Sequence, residues 1–408
     1  MPPVVNWAGG IPGKKRKRGT GLLKQTGKLR IYITIVCICF LQGLQFGPSP
    51  VLAQIQEHYP QIPTSLVQML ITAPSLVGMV FALVCGVLVT KISKKKLLLA
   101  AAFVAFVTGM IPLLWDNFWL LIGMRTLYGY SLGLATALNT AVVAEWFTGD
   151  ERVVAMGVQS ASVGAGIAVV TAGAGRLGAV DFTNSYFINI IGAISFILIL
   201  ICLPDTGASR PEGDNQVRLN PRVFQVAFLG FLEYVFLISY TTNIAMHLQG
   251  DLAGNSSAAG NLTSLFSIAQ IIIGLLLGFL TKITRKLTLS TAMLSFAAGA
   301  LLLVLFPDNF ILLGAGSLLC GFSQGAFVPT AMVEVSNAVP PVAAAMASGV
   351  FTCATCIGQV ISPLFLNTVA GTVLGSSTTT HVFMIDVVGM LVSAALAAFI
   401  MLRQGKTQ

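Results

Sequence analysis

Apolar runs close to the 20 residues that a bilayer core requires follow one another along the chain, separated by short polar connectors. Twelve can be drawn, at about 31–54, 65–90, 97–115, 118–146, 154–178, 184–203, 223–247, 260–281, 288–306, 310–336, 342–369 and 381–402. Each predicts a membrane-spanning helix, numbered 1 to 12 in this order. A polar stretch at 205–222 divides them into six and six. The chain thus reads as a basic arm (1–30), a six-helix bundle (31–204), a linker (205–222), a second six-helix bundle (223–402) and a short tail (403–408). The fold class expected is an all-α membrane protein.

Composition sharpens this picture. Only 9% of the 408 residues are charged and 55% are hydrophobic, with a mean hydropathy of +0.86. A soluble domain does not carry that balance. The net charge of +9 raises the thought of nucleic acid, but its distribution removes it. Eight of the 23 Lys and Arg precede residue 31, including the run Lys14-Lys15-Arg16-Lys17-Arg18, and 21 in all fall on the side of the arm. The loops assigned to the other side hold none, and Arg125 and Arg176 lie inside spans. The positive-inside rule then puts both termini in the cytoplasm, which demands an even number of spans. The arm reads as a segment touching anionic lipid headgroups. The seven cysteines all fall in apolar runs and read as helix-packing residues, Cys353-x-x-Cys356 included, so no metal or other cofactor is expected. No cleavable signal peptide is expected at the N-terminus.

The chain also repeats itself. Asp116-Asn117-Phe118 returns 192 positions later as Asp308-Asn309-Phe310, and the same offset carries Gly129, Gly133, Gly157 and Gly166 onto Gly321, Gly325, Gly349 and Gly358. Leu88-Val-Thr90-Lys91-Ile92-Ser-Lys94 is echoed by Phe279-Leu-Thr281-Lys282-Ile283-Thr-Arg285. Two parallel six-helix pseudo-repeats are implied.

One stretch is more specific. It runs Arg125-Thr-Leu-Tyr-Gly129-Tyr-Ser-Leu-Gly133, then through apolar residues to Glu145-Trp146-Phe147, and on to Glu151-Arg152 and Gly157. In order and spacing it resembles the fourth helix, following loop and fifth helix of the major facilitator superfamily. The resemblance extends to the twelve-helix architecture and covers nearly the whole chain. It implies a two-lobed transporter with a central cavity between helices 1, 4, 7 and 10, and a helix-4 arginine involved in proton coupling or anion contact. The loop between helices 2 and 3 keeps the family's leading glycine as Gly86 and its positive charges as Lys91 and Lys94. Thr90 stands where the family has an acid thought to latch the halves together, and Ser93 replaces a glycine. The latch is therefore lost, or passes to hydroxyl hydrogen bonds; plain positive-inside topology explains the basic residues equally well.

Charged groups inside spans are few, and each needs a reason to be there. Glu233 lies about 15 Å into helix 7 among apolar neighbours. Desolvation penalises its ionised form, so it is either the group that takes and releases a coupling proton or a structural carboxyl kept neutral. Arg125 lies roughly 10 Å deep and must face a cavity, an acid or backbone carbonyls. It is paired with Glu233 as the proton-coupling candidates. Asp386, about five residues into helix 12, can simply be hydrated. Gln42, Tyr128, Asn139, Tyr240, Asn243, Gln270 and Gln324 are candidates for the substrate cavity, or helix-to-helix glue. Pro48 and Pro50 break helix 1 and free carbonyls beside Gln42 and Gln45. Gating on the cytoplasmic side is assigned to Glu145, Lys91, Lys94, Arg152, Lys282 and Arg285; Glu145 and Glu334 are otherwise helix-end partners.

No phosphate loop, metal-ligand cluster or nucleophile elbow is present, which argues against an ATPase or a membrane hydrolase. Helix 5 carries Val163-Gly164-Ala165-Gly166 without the proline common in drug–proton antiporters. The function expected is a monomeric secondary active transporter, not an enzyme. It would move a small organic solute across the cell membrane by alternating access, coupled to protons and contacting lipid but not nucleic acid. A drug or metabolite efflux antiporter and a non-transporting, receptor-like membrane protein remain open beside it.

Overall fold

The computed structural model describes residues 18–147, 150–208, 220–339 and 344–404, and side chains from residue 27. Lys14 to Lys17, the side chain of Arg18, most of the linker and the side chain of Arg152 fall outside the described residues. Among those described, twelve rods run back and forth. Helix 1 is Arg18–Gly43, extended through tight turns at Leu44–Phe46 and Ser49–Val51 into Leu52–His58. Helices 2 to 5 are Thr64–Lys91, Lys94–Met110, Phe118–Trp146 and Asp150–Leu177. Helix 6 begins as a 3-10 segment, Phe182–Asn189, and continues as Ile190–Cys202. Helices 7 to 12 are Pro221–His247, Ser256–Thr284, Thr288–Leu305, Phe310–Asn337, Ala344–Val373 and Thr379–Gln404.

The starts of these helices are written in the sequence. Asn117 accepts from the backbone N–H groups of Trp119 and Leu120 at 2.8 and 3.2 Å, and Asn309 does the same for Ile311 and Leu312 at 3.1 and 3.2 Å. The repeated Asp-Asn-Phe is therefore a repeated N-cap, satisfying donors that the first turn leaves free. Asn255 caps helix 8, and Asn220 caps helix 7 ahead of Pro221. Ser93, which departs from the resembled loop pattern, caps helix 3.

The glycine repeat turns out to be a repeat of helix crossings. A Cβ on Gly129 or Gly133 would lie 2.3 or 2.2 Å from the carbonyl oxygens of Pro74 and Gly78 on helix 2. One on Gly321 or Gly325 would lie 2.0 or 2.7 Å from those of Phe266 and Gln270 on helix 8. Gly166 abuts helix 1 at Cys39, and Gly358 abuts helix 7 at Phe231. Helix 4 thus sits on helix 2 as helix 10 sits on helix 8, with backbones too close for any side chain between them.

The two six-helix lobes meet over half their length only. The core of the C-terminal lobe continues across into Val51, Leu52, Ile55, Val67, Leu70 and Ile71, all at the end of the molecule away from the termini. The other half of the N-terminal lobe has a separate core around Ile31, Ile35, Ile38, Leu98, Leu134 and Leu138. At the basic, terminus-bearing end, Leu83 and Val87 on helix 2, Val154 on helix 5, and Leu275 and Phe279 on helix 8 are exposed. Cβ atoms on Gly86, Gly157, Gly278 and Gly349 would meet nothing within 4 Å. The lobes form a V, closed at the far end and open at the basic end.

Candidate functional site

The point where the V closes is polar. On helix 1 the chain after Gly43 leaves α-helical geometry, because Pro48 and Pro50 supply no N–H. This turns the Gln45 side chain toward helix 2, where its amide donates to the Ile71 carbonyl at 3.2 Å and to Ser75 Oγ at 2.9 Å. Gln45 also donates to Gln359 Oε1 of helix 11 at 3.2 Å, and Ser75 Oγ donates to the same oxygen at 2.8 Å. Ser75 lies eleven residues from the start of helix 2, about 16 Å deep at 1.5 Å per residue. On helices 2 and 11 this triad is the hydrogen-bonded contact between lobes nearest the open end.

Farther out, a second clasp joins the lobes. Gln68 donates to Asn243 Oδ1 at 2.7 Å and accepts from Asn367 Nδ2 at 2.6 Å. Ser49 Oγ donates to the Thr241 carbonyl at 2.5 Å. Helices 5 and 8 close the other side: Ser256 Oγ donates to the Gly175 carbonyl and Ser264 Oγ to that of Ala168, both at 2.9 Å. A Cβ on Gly260 would sit 2.6 Å from the Thr171 carbonyl, so this seam is as tight as those within a lobe.

Arg125 is not in the cleft. Its guanidinium donates to the carbonyls of Leu70 (2.9 Å), Leu44 (3.2 Å) and Gln45, and lies 5.0 Å from the ring centre of Tyr128. The Leu70 carbonyl is the one that Pro74, four residues on, leaves without an N–H; the Leu44 carbonyl also accepts from the Gly47 N–H at 3.2 Å. The Tyr128 hydroxyl takes the Leu41 carbonyl of the same broken helix. Among the described residues no acid reaches Arg125.

Glu233 is fully buried within the C-terminal lobe and accepts from Ser323 Oγ of helix 10 at 2.7 Å; its second oxygen has no partner. Tyr240 donates to Ser317 Oγ at 2.6 Å and stacks on Phe266. Asn139 donates to Cys39 Sγ at 3.2 Å, with its Oδ1 unpartnered, as is Oε1 of Gln270. Gln324 is buried close to the Tyr234 hydroxyl, and Gln42 is half-buried. Of the cavity candidates, then, Asn243 alone joins a described inter-lobe clasp. The residues that sequence reasoning missed are Gln45, Ser75, Gln359, Gln68 and Asn367. For Ser75, Gln68, Gln359 and Asn367 the signal was an amide or hydroxyl within an apolar run of helices 2 and 11, which the resemblance directed attention away from; for Gln45 it was an amide beside the helix-1 prolines.

Asp386, expected to be hydrated, is instead fully buried, because helices 7 and 9 flank the outer part of helix 12. At the basic end Lys94 pairs with Glu145 at 2.8 Å, and Arg222 pairs with Glu334. Both ion pairs stay inside one lobe. Thr90 Oγ1 turns back to its own helix at the Val87 carbonyl, 2.8 Å away. Lys91, Lys282 and Arg285 are exposed. At the opposite end, Asp116 accepts from the Tyr59 hydroxyl and lies 2.8 Å from His58 Nε2. These contacts hold its carboxyl below the usual range, the Tyr59 hydrogen bond foremost.

A family model described as Major Facilitator Superfamily matches residues 32–238 and again 226–408, once for each lobe. No curated protein matches the chain by sequence. Among solved structures, a variant of the nucleoside transporter NupG superposes with a TM-score of 0.74 at 15% identity, covering 90% of this chain and 99% of that one. A bacterial homologue of the human lysosomal transporter Spinster, inward-facing and unoccupied, gives 0.72 at 13%, covering 93% and 97%. The human organic anion transporter MFSD10 gives 0.63 at 16%, covering 92% and 99%.

Proposed function

Because the chain belongs to the Major Facilitator Superfamily, and is thus a multi-pass membrane transport protein rather than an enzyme, we propose that it is a proton-coupled secondary transporter of a small polar, uncharged organic solute. It works by alternating access in the cell membrane, with both termini cytoplasmic, so the V is the cytoplasm-facing state. The observation that carries this reading is the cleft whose apex is made of amides and a hydroxyl, Gln45, Ser75 and Gln359, with no charged side chain in the triad. Such groups both donate and accept, which suits neutral solutes with hydroxyl, amide or ring-nitrogen functions. Arg125 is spent on backbone carbonyls, which disfavours an anion held by it.

Closing the cleft at the basic end must break the far clasps, since both sets cannot form around one rocking axis. Solute binding favours that change only if it contacts the closed form better. Glu233 supplies the coupling in this reading: a buried carboxyl on helix 7 with one free oxygen gains or loses a proton as helix 7 moves against helices 10 and 11.

The test begins with a thermal-shift screen of neutral metabolites on purified protein, because a ligand of the folded state raises apparent stability. A hit is then followed in proteoliposomes by counterflow at equal pH and by uptake under an imposed pH gradient. Glu233→Gln, which keeps the volume and removes the titration, is expected to retain counterflow and lose uphill accumulation. Accumulation that survives in this variant assigns Glu233 a structural part; absence of counterflow for every binding solute sinks the transporter reading.

A further inference from the structure

Asp386 is a buried acid for which the cleft gives no use. It lies on helix 12, fully enclosed, and accepts from Ser239 Oγ of helix 7, while its Oδ1 has no partner. Glu233 presents the same arrangement: full burial, one serine hydroxyl donated from a neighbouring helix, and one oxygen left over. Among the described residues no ion pair reaches either carboxyl. A bare carboxylate in such a place is costly, whereas a neutral acid puts its proton on the unpartnered oxygen and keeps the serine bond on the other.

The two acids share one environment. Helix 7 supplies Glu233, Ser239 and Tyr240 within seven residues, about 10 Å of rise. Helix 10 faces them with Ser317, Cys320 and Ser323, three residues apart and hence along one side. The Tyr240–Ser317 bond is formed one residue beyond Ser239 along helix 7 and joins helix 7 to helix 10, as the Glu233–Ser323 bond does. The titratable groups facing this seam are Cys320 of helix 10, Tyr234 and Tyr240 of helix 7, and Cys356 of helix 11. His247, farther along helix 7, does not belong to it. Its Nε2 lies 2.9 Å from the Leu303 carbonyl and its Nδ1 3.0 Å from Thr379 Oγ1, so both ring nitrogens are taken up in joining helix 7 to helices 9 and 12.

We propose that Asp386 is a second proton-binding site of the C-terminal lobe, loading and releasing a proton alongside Glu233, so that coupling involves two carboxyls within one lobe and none in the cleft. The proposal rests on the proton-coupled reading above. Helix 12 packs on both helix 7 and helix 9, so a tilt of helix 7 stretches or restores the Ser239–Asp386 bond just as it does Ser323–Glu233. The proton taken by Asp386 adds to its free oxygen and leaves the same oxygen on release. The hydroxyls of the seam keep their own protons.

The test needs no solute. Infrared difference spectra of the purified full chain in lipid, acid minus alkaline, are read in the carbonyl-stretch region of protonated carboxyls. Two buried-acid bands are expected. Asp386→Asn should delete one and Glu233→Gln the other. Ser239→Ala should move the Asp386 band to higher frequency without removing it, since a hydrogen bond to that carboxyl is lost. Should Asp386→Asn fail to fold, the serine variant carries the test alone. Loss of a band in Glu233→Gln, with no band altered by Asp386→Asn or Ser239→Ala, overturns the proposal and leaves the Glu233 reading standing. A band deleted by Asp386→Asn and none by Glu233→Gln supports Asp386 and removes Glu233 from coupling.

Discussion

At the scale of single residues, Arg125 shows how a charge deep in an apolar helix is made tolerable. Pro74 strips an N–H from the ladder, and the guanidinium fork covers the carbonyl it leaves at Leu70 together with those of Leu44 and Gln45 where helix 1 breaks. A lysine ammonium cannot span acceptors on two helices with the same fixed geometry. Arg125→Lys is therefore expected to cost about 1–3 kcal/mol of stability, the scale of a buried acceptor left bare. Pro74→Ala restores an N–H for Leu70 and should reduce that cost in the double variant. Melting temperatures of the four proteins decide it, and strict additivity would mean that the proline has nothing to do with the arginine. Asp116 works by a different rule. Its carboxyl value is depressed in the folded protein, first by the Tyr59 hydroxyl and then by His58. The stability it contributes is thus present above the unfolded value of about 3.9 and is lost as pH falls through the lower folded value. Asp116→Asn should melt earlier than wild type at neutral pH, and the two curves of melting temperature against pH should converge at the acid end.

At the scale of elements, the same glycine offset has two kinds of outcome. Gly129, Gly133, Gly321 and Gly325 sit where a Cβ would fall 2.0 to 2.7 Å from a backbone carbonyl oxygen, so the helices must separate to admit one. Gly157 and Gly349, related by the same offset, face open space. Gly321→Ala and Gly129→Ala should accordingly lower melting temperature by several degrees. Gly157→Ala and Gly349→Ala should leave it level or raise it slightly, as alanine gains about 1 kcal/mol over glycine in a helix. If the last two nevertheless slow counterflow, their faces are packed in the opposite state. Equal melting losses at all four positions would contradict the crossings described.

At the scale of the whole molecule, the contacts that hold the two lobes together differ in kind from those that hold most helices within a lobe. Within a lobe the crossings are backbone on backbone; at the seam of helices 2, 7 and 11 they are amide on amide, Gln68 with Asn243 and Asn367. Polar contacts of that kind can be exchanged for water or solute at little cost, whereas interlocked backbones cannot. Cysteines replacing Gln68 and Asn367, in a background without the native cysteines, should be bridged by a short bifunctional thiol reagent. The bridged protein should bind solute and fail to exchange it across the membrane. Undiminished counterflow after complete bridging would show that this clasp does not open during transport.

The sequence by itself determined the number of helices, the two-fold repeat and the places where helices begin. Each of these depends on local chemistry: the length of an apolar run, an asparagine before a first turn, a proline that cannot donate. It also determined that Arg125 and Glu233 would be troublesome in a membrane, and both proved to be enclosed, as did Asp386, which the sequence allowed to be hydrated. What each does with its enclosure was settled only by the tertiary structure, because the partner lies on another helix. Arg125 found a carbonyl freed by Pro74 on helix 2 and two more where helix 1 breaks, and Asp386 a serine on helix 7. The polar apex escaped sequence reasoning for the same reason. Gln45, Ser75 and Gln359 are unremarkable singly, and converge only because the lobes lean together at one end and part at the other.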